Sequence, residues 1–358
     1  MISFFTSLKP FRGTTAVQQR NALRSWHSSN PGCEIIVFGA VEAGADVLAQ
    51  VNATYRPDIA CNEFGTPLIS AIFAEAQRIG RHSVLCYING DIILLPDFAT
   101  AVARLAKWRT FAAVGQRTDI DWDAPIDFAQ AGWADRVLAE VRVCGKLHTP
   151  GAMDFFVIRR GAVEPLPPFA IGRPAWDKYL IRQLLGRPVP IVDLSLAVAA
   201  VHQNHNYTHI PQGKGGRYGG PETEVNRALA SQHFPGFKRW RKYYSIRNAQ
   251  WIMLDRHVVP AVSPSRLWRR SLAVLPDPIS HGVLHLLRNS KSLLLRFREL
   301  YRSALRFPFL RGFRGGQAND AVINVTQAKD GRDEQAPSAP IVAVTQEKSG
   351  KKPGYINT

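Results

Sequence analysis

The chain has 358 residues, 46 % of them apolar, enough to bury one large α/β domain with appendages or two modest domains. Its formal charge is +17, and the stretch from Lys238 to Arg314 alone holds about 17 Lys/Arg against about 3 Asp/Glu, which points to an anionic surface or an anionic substrate. Four scattered cysteines (Cys33, Cys61, Cys86, Cys144) with no CxxC pair exclude a disulfide framework or a zinc site and suit reduced thiols in the cytoplasm; no run approaches the about 18 apolar residues of a membrane-spanning helix.

The opening MISFFTSLKPF has no basic n-region and no long apolar h-region, so residues 2–7 read as a strand and not a signal peptide. Residues 15–29 carry Val17, Ala22, Leu23 and Trp26 near helical spacing. EIIVFG (34–39) is a short apolar strand, 45–52 a short helix, and 66–80 a helix with Thr66 as N-cap, Pro67 at its first position and Gly80 past its end. Residues 82–95 contain a strand interrupted by Asn89-Gly90-Asp91; 96–108 form a helix and 110–117 a strand. Continuous apolar strands alternating with helices imply an α/β fold, a doubly wound, mainly parallel sheet covered on both faces.

After residue 120 the alternation weakens. A strand is expected at 152–160, a helix at 175–187, a strand at 188–195, a polar loop over 200–220 and a helix at 221–233. From about 238 Arg and Lys mix with Trp, Leu and Phe, and 281–306 reads as a basic amphipathic helix. Residues 315–358 are polar with almost no aromatics and are expected to be disordered. The division expected is a domain at 1–235, a basic helical region at 236–314 and a tail at 315–358.

Ligands of doubly wound sheets bind beyond the carboxyl ends of the strands. Asp91 stands there between two apolar runs, where a lone carboxylate is costly unless a metal ion or donor hydrogens meet it. Asn-Gly-Asp equally suits the turn of a β-hairpin, and local pattern does not separate the two. His202, His205 and His209 fall within eight residues; His202 follows the apolar run SLAVAAV and so ends a strand, where a metal ligand is held rigidly, although hydrogen bonding within the loop explains any one of them as well. QGKGGRYGG offers backbone N–H groups with Lys214 and Arg217, which suits a diphosphate, but it lacks the Walker A ending and reads as well as a linker. Asp177 follows Trp176 at a helix start, which the helix dipole alone favours; a general base is the functional alternative.

TSLKPF, QRNALRSW, EIIVFG, NEFGTPLI, YINGDIILLPDF, GAMDFFVIRR, GRPAWDKYLI and VHQNHNYTHI follow one another in an order that resembles GT-A type glycosyltransferases related to glycosyltransferase family 2, over roughly residues 1–235. That resemblance implies a nucleotide-diphospho-sugar donor and Mn²⁺ or Mg²⁺. Asn89-Gly90-Asp91 takes the place of the family's DxD motif, so Asp91 and His202 are the implied metal ligands; Asn89 is neutral where the family often has an acid. Thr6, Lys9, Pro10 and Gly39 would flank the nucleotide base, and Arg117 would pair with the diphosphate. Asp177 matches the carboxylate that deprotonates the acceptor hydroxyl in inverting members, and Asp154 would hold donor or acceptor hydroxyls.

Two other readings compete. A sugar-phosphate nucleotidyltransferase usually has a Gly-rich basic signature after its first strand, of which TSLKPFRG is a poor version. A non-catalytic basic protein would act through the C-terminal half; there the apolar residues share one helical face, which favours an anionic membrane surface, met peripherally through residues 240–312, over nucleic acid, and a helical subdomain packed on the catalytic core explains the same pattern equally well. The acceptor expected for the transferase is a glycan or a lipid-linked or cell-envelope molecule.

Overall fold

The computed structural model describes residues 1–205 and 218–270, except 235, 238–240, 242, 243, 256, 264, 268 and 269. All belong to one compact unit, Met1–Tyr301; the second unit, Arg302–Thr358, lies outside the described residues, as do His209, Lys214, Arg217, the expected amphipathic helix at 281–306 and the expected tail.

The first half follows the alternation of the sequence: β1 (Ser3–Ser7), α1 (Gly13–Ser29), β2 (Glu34–Phe38), α2 (Ala45–Gln50), β3 (Thr54–Arg56), α3 (Ile69–Ile79), β4 (Val84–Ile88), β5 (Ile92–Leu94), α4 (Asp97–Leu105), β6 (Ala112–Val114) and β7 (Arg117–Ile120). There follow α5 (Trp133–Cys144), β8 (Lys146–Leu147), β9 (Phe155–Arg159), α6 (Trp176–Leu185), β10 (Ile191–Asp193), β11 (Ala200–Gln203), α7 (Pro221–His233), β12 (Trp251–Leu254) and β13 (His257–Pro260). The large sheet has the order β13-β12-β10-β6-β9-β4-β1-β2-β3 and a smaller one β5-β11-β7-β8. In the large sheet only β9 and β13 run antiparallel to their neighbours. The fold is thus α/β with a mainly parallel central sheet.

Alternation across the pleat divides the core. Phe4 packs on one face with Trp26, Phe98 and Phe155; Phe5 packs on the other with Phe73, Tyr87 and Phe156. Each such side chain taken from water contributes about 1.5–3 kcal/mol.

Four local expectations change. The helix expected from Thr66 begins at Ile69, because Pro67 pairs with Cys61 and Leu68 with Ala170 as short bridges that hold this stretch extended. The strand expected over 110–117 breaks at Gly115-Gln116 into β6 and β7, one in each sheet. The polar segment expected to be a loop from residue 200 opens with β11, whose buried Val201, His202 and Gln203 pair with β7. The central sheet also runs past residue 235, since β12 pairs with β10 in parallel and turns back into β13.

Candidate active site

The carboxyl ends of β1, β2, β4 and β6 lie along one edge of the large sheet. Because β9 runs antiparallel between β4 and β6, its entry residue Asp154 joins them: Asn89 N donates to the Asp154 carbonyl at 2.9 Å. A cavity of about 470 Å³ opens at this edge, lined among others by Lys9, Asn89, Asp91, Arg117, Asp154 and His202.

Asn89-Gly90-Asp91 is a tight turn, with Ile92 N donating to the Asn89 carbonyl at 3.2 Å. It is not the turn of a hairpin, however. β4 before it pairs with β1 and β9 in the large sheet, whereas β5 after it pairs with β11 in the small one. The turn therefore carries the chain from one sheet to the other and leaves Asp91 at their junction. A Cβ at Gly90 would come to 2.5 Å from Leu8 Cδ2, so any larger residue there must displace the Leu8 side chain.

At that junction Asp91 meets two imidazoles. Its Oδ2 lies 3.1 Å from His205 Nε2 and 3.7 Å from His202 Nε2. One donor atom from each of Asp91, His202 and His205 falls within 4.8 Å of the others. The Asp91 side chain is 19 % exposed, yet its Oδ1 is enclosed and accepts no hydrogen bond among the described residues. Burial opposes the Asp91 charge, but His202, His205 and Lys9 outweigh it and hold the carboxyl well below the usual range. Burial likewise pulls His202 down, but the charge of Asp91 and contacts with Asp119 and Asp91 overcome it and raise the imidazole to about 9.

A divalent cation fits this cluster. A buried carboxylate oxygen without a partner is costly, and a cation is one way to satisfy it. One carboxylate with two imidazoles is a donor set suited to Mn²⁺ and related transition metals more than to Mg²⁺, which prefers oxygen and water. Sequence reasoning singled out Asp91 and His202 for this role; His205, one of three histidines in the same run, completes the set.

Amide side chains of α1 fix these loops. Lys9 N donates to Gln19 Oε1 at 2.7 Å and Gln19 Nε2 returns a bond to the Lys9 carbonyl at 2.9 Å. Gln18 Nε2 holds the Asn204 carbonyl, between the two histidines, at 2.8 Å, and Asn21 Nδ2 donates to Gln203 Oε1 at 2.9 Å. Gln203 Nε2 in turn reaches the Asp91 carbonyl at 3.2 Å. Gln18, Gln19 and Asn21 are buried beside Ala22, Leu23 and Trp26. Three amides within about one turn of a helix were the sequence signal for this support, and apolar periodicity alone passes over it.

A second network begins at Tyr87. Its hydroxyl donates to Asn89 Oδ1 at 2.9 Å, and Asn89 Nδ2 donates to Asp154 Oδ1 at 2.8 Å. Arg117 Nη1 also donates to Asp154 Oδ1 at 2.8 Å, while Arg117 Nε donates to Asp119 Oδ1 at 2.8 Å. Asn89 thus has both ends of its amide engaged, as an acceptor for one neighbour and a donor to the other. Arg117, expected to meet a diphosphate, is already shared by two carboxylates, although it lines the cavity. Asp154 is buried, and its Oδ2 is enclosed without a partner among the described residues.

The remaining sequence candidates separate. Lys9 and Pro10 line the cavity. Thr6 is fully buried within β1 and does not; Ser7 and Leu8 stand there instead. Gly39 lies just behind Ala40, with φ +85°, where an added Cβ would crowd Pro67 at 3.3 Å. Asp177 occupies the first turn of α6 with Lys178 Nζ 3.8 Å away and is not among the lining residues. Arg173, which sequence reasoning passed over, lines the cavity and donates through Nε to Glu222 Oε2 at 2.9 Å; Glu222 also accepts from Asn62 at 2.7 Å, so the start of α7 is tied to the 61–67 loop.

No protein-family model and no curated protein matches this chain. Among solved structures, the mannosyltransferase PcManGT from Pyrobaculum calidifontis, in complex with GDP-Man and Mn²⁺, is similar at 13 % identity over 85 % of this chain and 79 % of that one, with a TM-score of 0.38. S. aureus TarS 1–349 in complex with UDP-GlcNAc is similar at 9 % identity over 57 % of this chain and 58 % of that one, also at 0.38. Glucosyl-3-phosphoglycerate synthase from Mycobacterium tuberculosis, with Mn²⁺, UDP and phosphoglyceric acid, is similar at 14 % identity over 57 % of this chain and 71 % of that one, at 0.34. TM-scores this low carry no weight for donor, metal or mechanism, which rest on the site itself.

Proposed function

We propose that this protein is a metal-assisted glycosyltransferase that moves a sugar from a nucleoside-diphosphate donor to a hydroxyl acceptor. The observation that carries the proposal is the enclosed Asp91 Oδ1, without a hydrogen-bond partner among the described residues, within the Asp91–His202–His205 cluster at the carboxyl edge of a mainly parallel sheet. Asp91, His202 and His205 would hold Mn²⁺ in preference to Mg²⁺. A divalent cation bound there supplies positive charge to a diphosphate as it departs.

The chain's own residues orient the rest. Asn89 and Arg117 hold Asp154 Oδ1, which fixes the carboxylate at the cavity wall before a ligand arrives, and Asp154 is proposed to meet donor or acceptor hydroxyls there. The loop of Lys9 and Pro10, clamped by Gln19, forms the nucleotide side of the cavity. Asp177 is the proposed base, reached by an acceptor that enters along the start of α6. The acceptor is proposed to be a glycan or lipid-linked, with the basic residues that follow β13, up to about 312, meeting the anionic inner face of a membrane. Among the described residues no helix is long and apolar enough to cross one.

Incubation with UDP- and GDP-sugars and Mn²⁺ tests this: a nucleoside diphosphate is the expected product, and pyrophosphate would indicate a nucleotidyltransferase. Asp91→Ala is expected to fold and to lose transfer and the Mn²⁺-dependent thermal shift. Retained transfer in Asp177→Ala removes Asp177 as base. For the membrane, the full chain is expected to float with anionic vesicles and the charge-reversed chain (Arg288, Lys291, Arg296 and Arg298→Glu) to stay behind, since each basic residue contributes about 1 kcal/mol; equal flotation ends that part of the proposal.

A further inference from the structure

Asp119 was not singled out by its sequence surroundings, yet three cationic or protonatable groups converge on it. Parallel pairing of β7 with β11 sets Asp119 directly beside His202. Its Oδ1 lies 3.0 Å from His202 Nδ1 and accepts from Arg117 Nε at 2.8 Å; its Oδ2 lies 3.0 Å from His148 Nδ1. The other imidazole nitrogen of His202, Nε2, faces Asp91.

We infer that Asp119 is a positioning residue for the metal ligand His202, holding Nδ1 as the protonated nitrogen so that the Nε2 lone pair is presented to a divalent cation beside Asp91 and His205. This rests on the metal-site proposal above. A ligating imidazole whose second nitrogen is held by a carboxylate has its tautomer and ring orientation set, and its basicity raised. The contact is at ion-pair distance, 3.0 Å, and His202 Nδ1 makes no aligned hydrogen bond among the described residues, so the interaction is read as an ion pair.

Two features separate this from an incidental ion pair. Asp119 is only 17 % exposed, and its place opposite His202 is set by strand register, not by a loop. Through Arg117 it is also joined to Asp154, so one ionic chain, Asp91–His202–Asp119–Arg117–Asp154, ties the metal ligands to the carboxylate proposed to hold a sugar hydroxyl.

The test is direct titration of the full-length protein with Mn²⁺, reading free Mn²⁺ by electron paramagnetic resonance, for the wild type, Asp119→Asn and Asp119→Ala, alongside urea unfolding of each. Wild type is expected to bind Mn²⁺. Asp119→Ala is expected to bind about 10- to 100-fold more weakly, and Asp119→Asn, which keeps an acceptor oxygen without the charge, about tenfold more weakly. If both variants lose stability but bind Mn²⁺ as the wild type does, Asp119 is structural only and the inference is overturned. If Asp119→Ala does not fold, the isosteric Asp119→Asn decides alone. A wild type that binds no Mn²⁺ overturns the metal centre itself, a separate failure visible before any variant is compared.

Discussion

Replacing Asn89 by Asp puts a second acid into the Asn89-Gly90-Asp91 turn. The geometry says that the change is costly. Asn89 Nδ2 donates to Asp154 Oδ1 at 2.8 Å, so Asn89→Asp exchanges a donor for a second carboxylate oxygen against a buried acid. Two unit charges about 4 Å apart at an effective dielectric of about 20 repel by about 4 kcal/mol. Arg117, which also bonds Asp154 Oδ1 at 2.8 Å, offsets part of this, leaving a net destabilisation of about 2–4 kcal/mol at neutral pH. The pair relieves itself by sharing a proton, which raises one folded pKa above its unfolded value of about 4. The folded state then binds more protons than the unfolded state between those values, so the penalty is small below about pH 4, grows as pH rises through the raised pKa, and is fully present above it. Urea unfolding of wild type and Asn89→Asp, both free of divalent metal, at about pH 5 and near neutral pH measures the difference. A variant as stable as the wild type near neutral pH would refute the role assigned to the amide.

Two further outcomes follow from named contacts. His205→Ala is expected to weaken Mn²⁺ binding at least about tenfold, measured by the same titration, whereas exposed His233→Ala leaves it unchanged. Glu222→Gln is expected to cost about 1.5–3 kcal/mol in urea unfolding, because a buried carboxylate paired with Arg173 and Asn62 is lost. The Glu222 pKa is lowered: burial raises it, but Thr66, Asn62 and Arg173 outweigh burial. Its contribution is therefore present above the unfolded carboxylate pKa of about 4 and disappears as pH falls through the depressed folded value, so the gap between wild type and variant should close in acid.

What the sequence determined by itself was local. Apolar runs at strand length, alternating with helical segments, specify a mainly parallel sheet, and the carboxyl ends of such strands are the edge at which ligands bind. Asp91 and His202 were legible for that reason. The meaning of Asn89-Gly90-Asp91 was not, because a hairpin turn and a crossing between sheets have the same residues; only the pairing of β4 with β9 and of β5 with β11 distinguishes them. Long-range pairing likewise decided that His205 joins Asp91 across a separation of 114 positions, that Asp119 stands beside His202, and that Arg117 is shared by two carboxylates. Each of these depends on which backbone groups pair across the sheet, a free energy shared by residues far apart in the chain, so no window of sequence contains it.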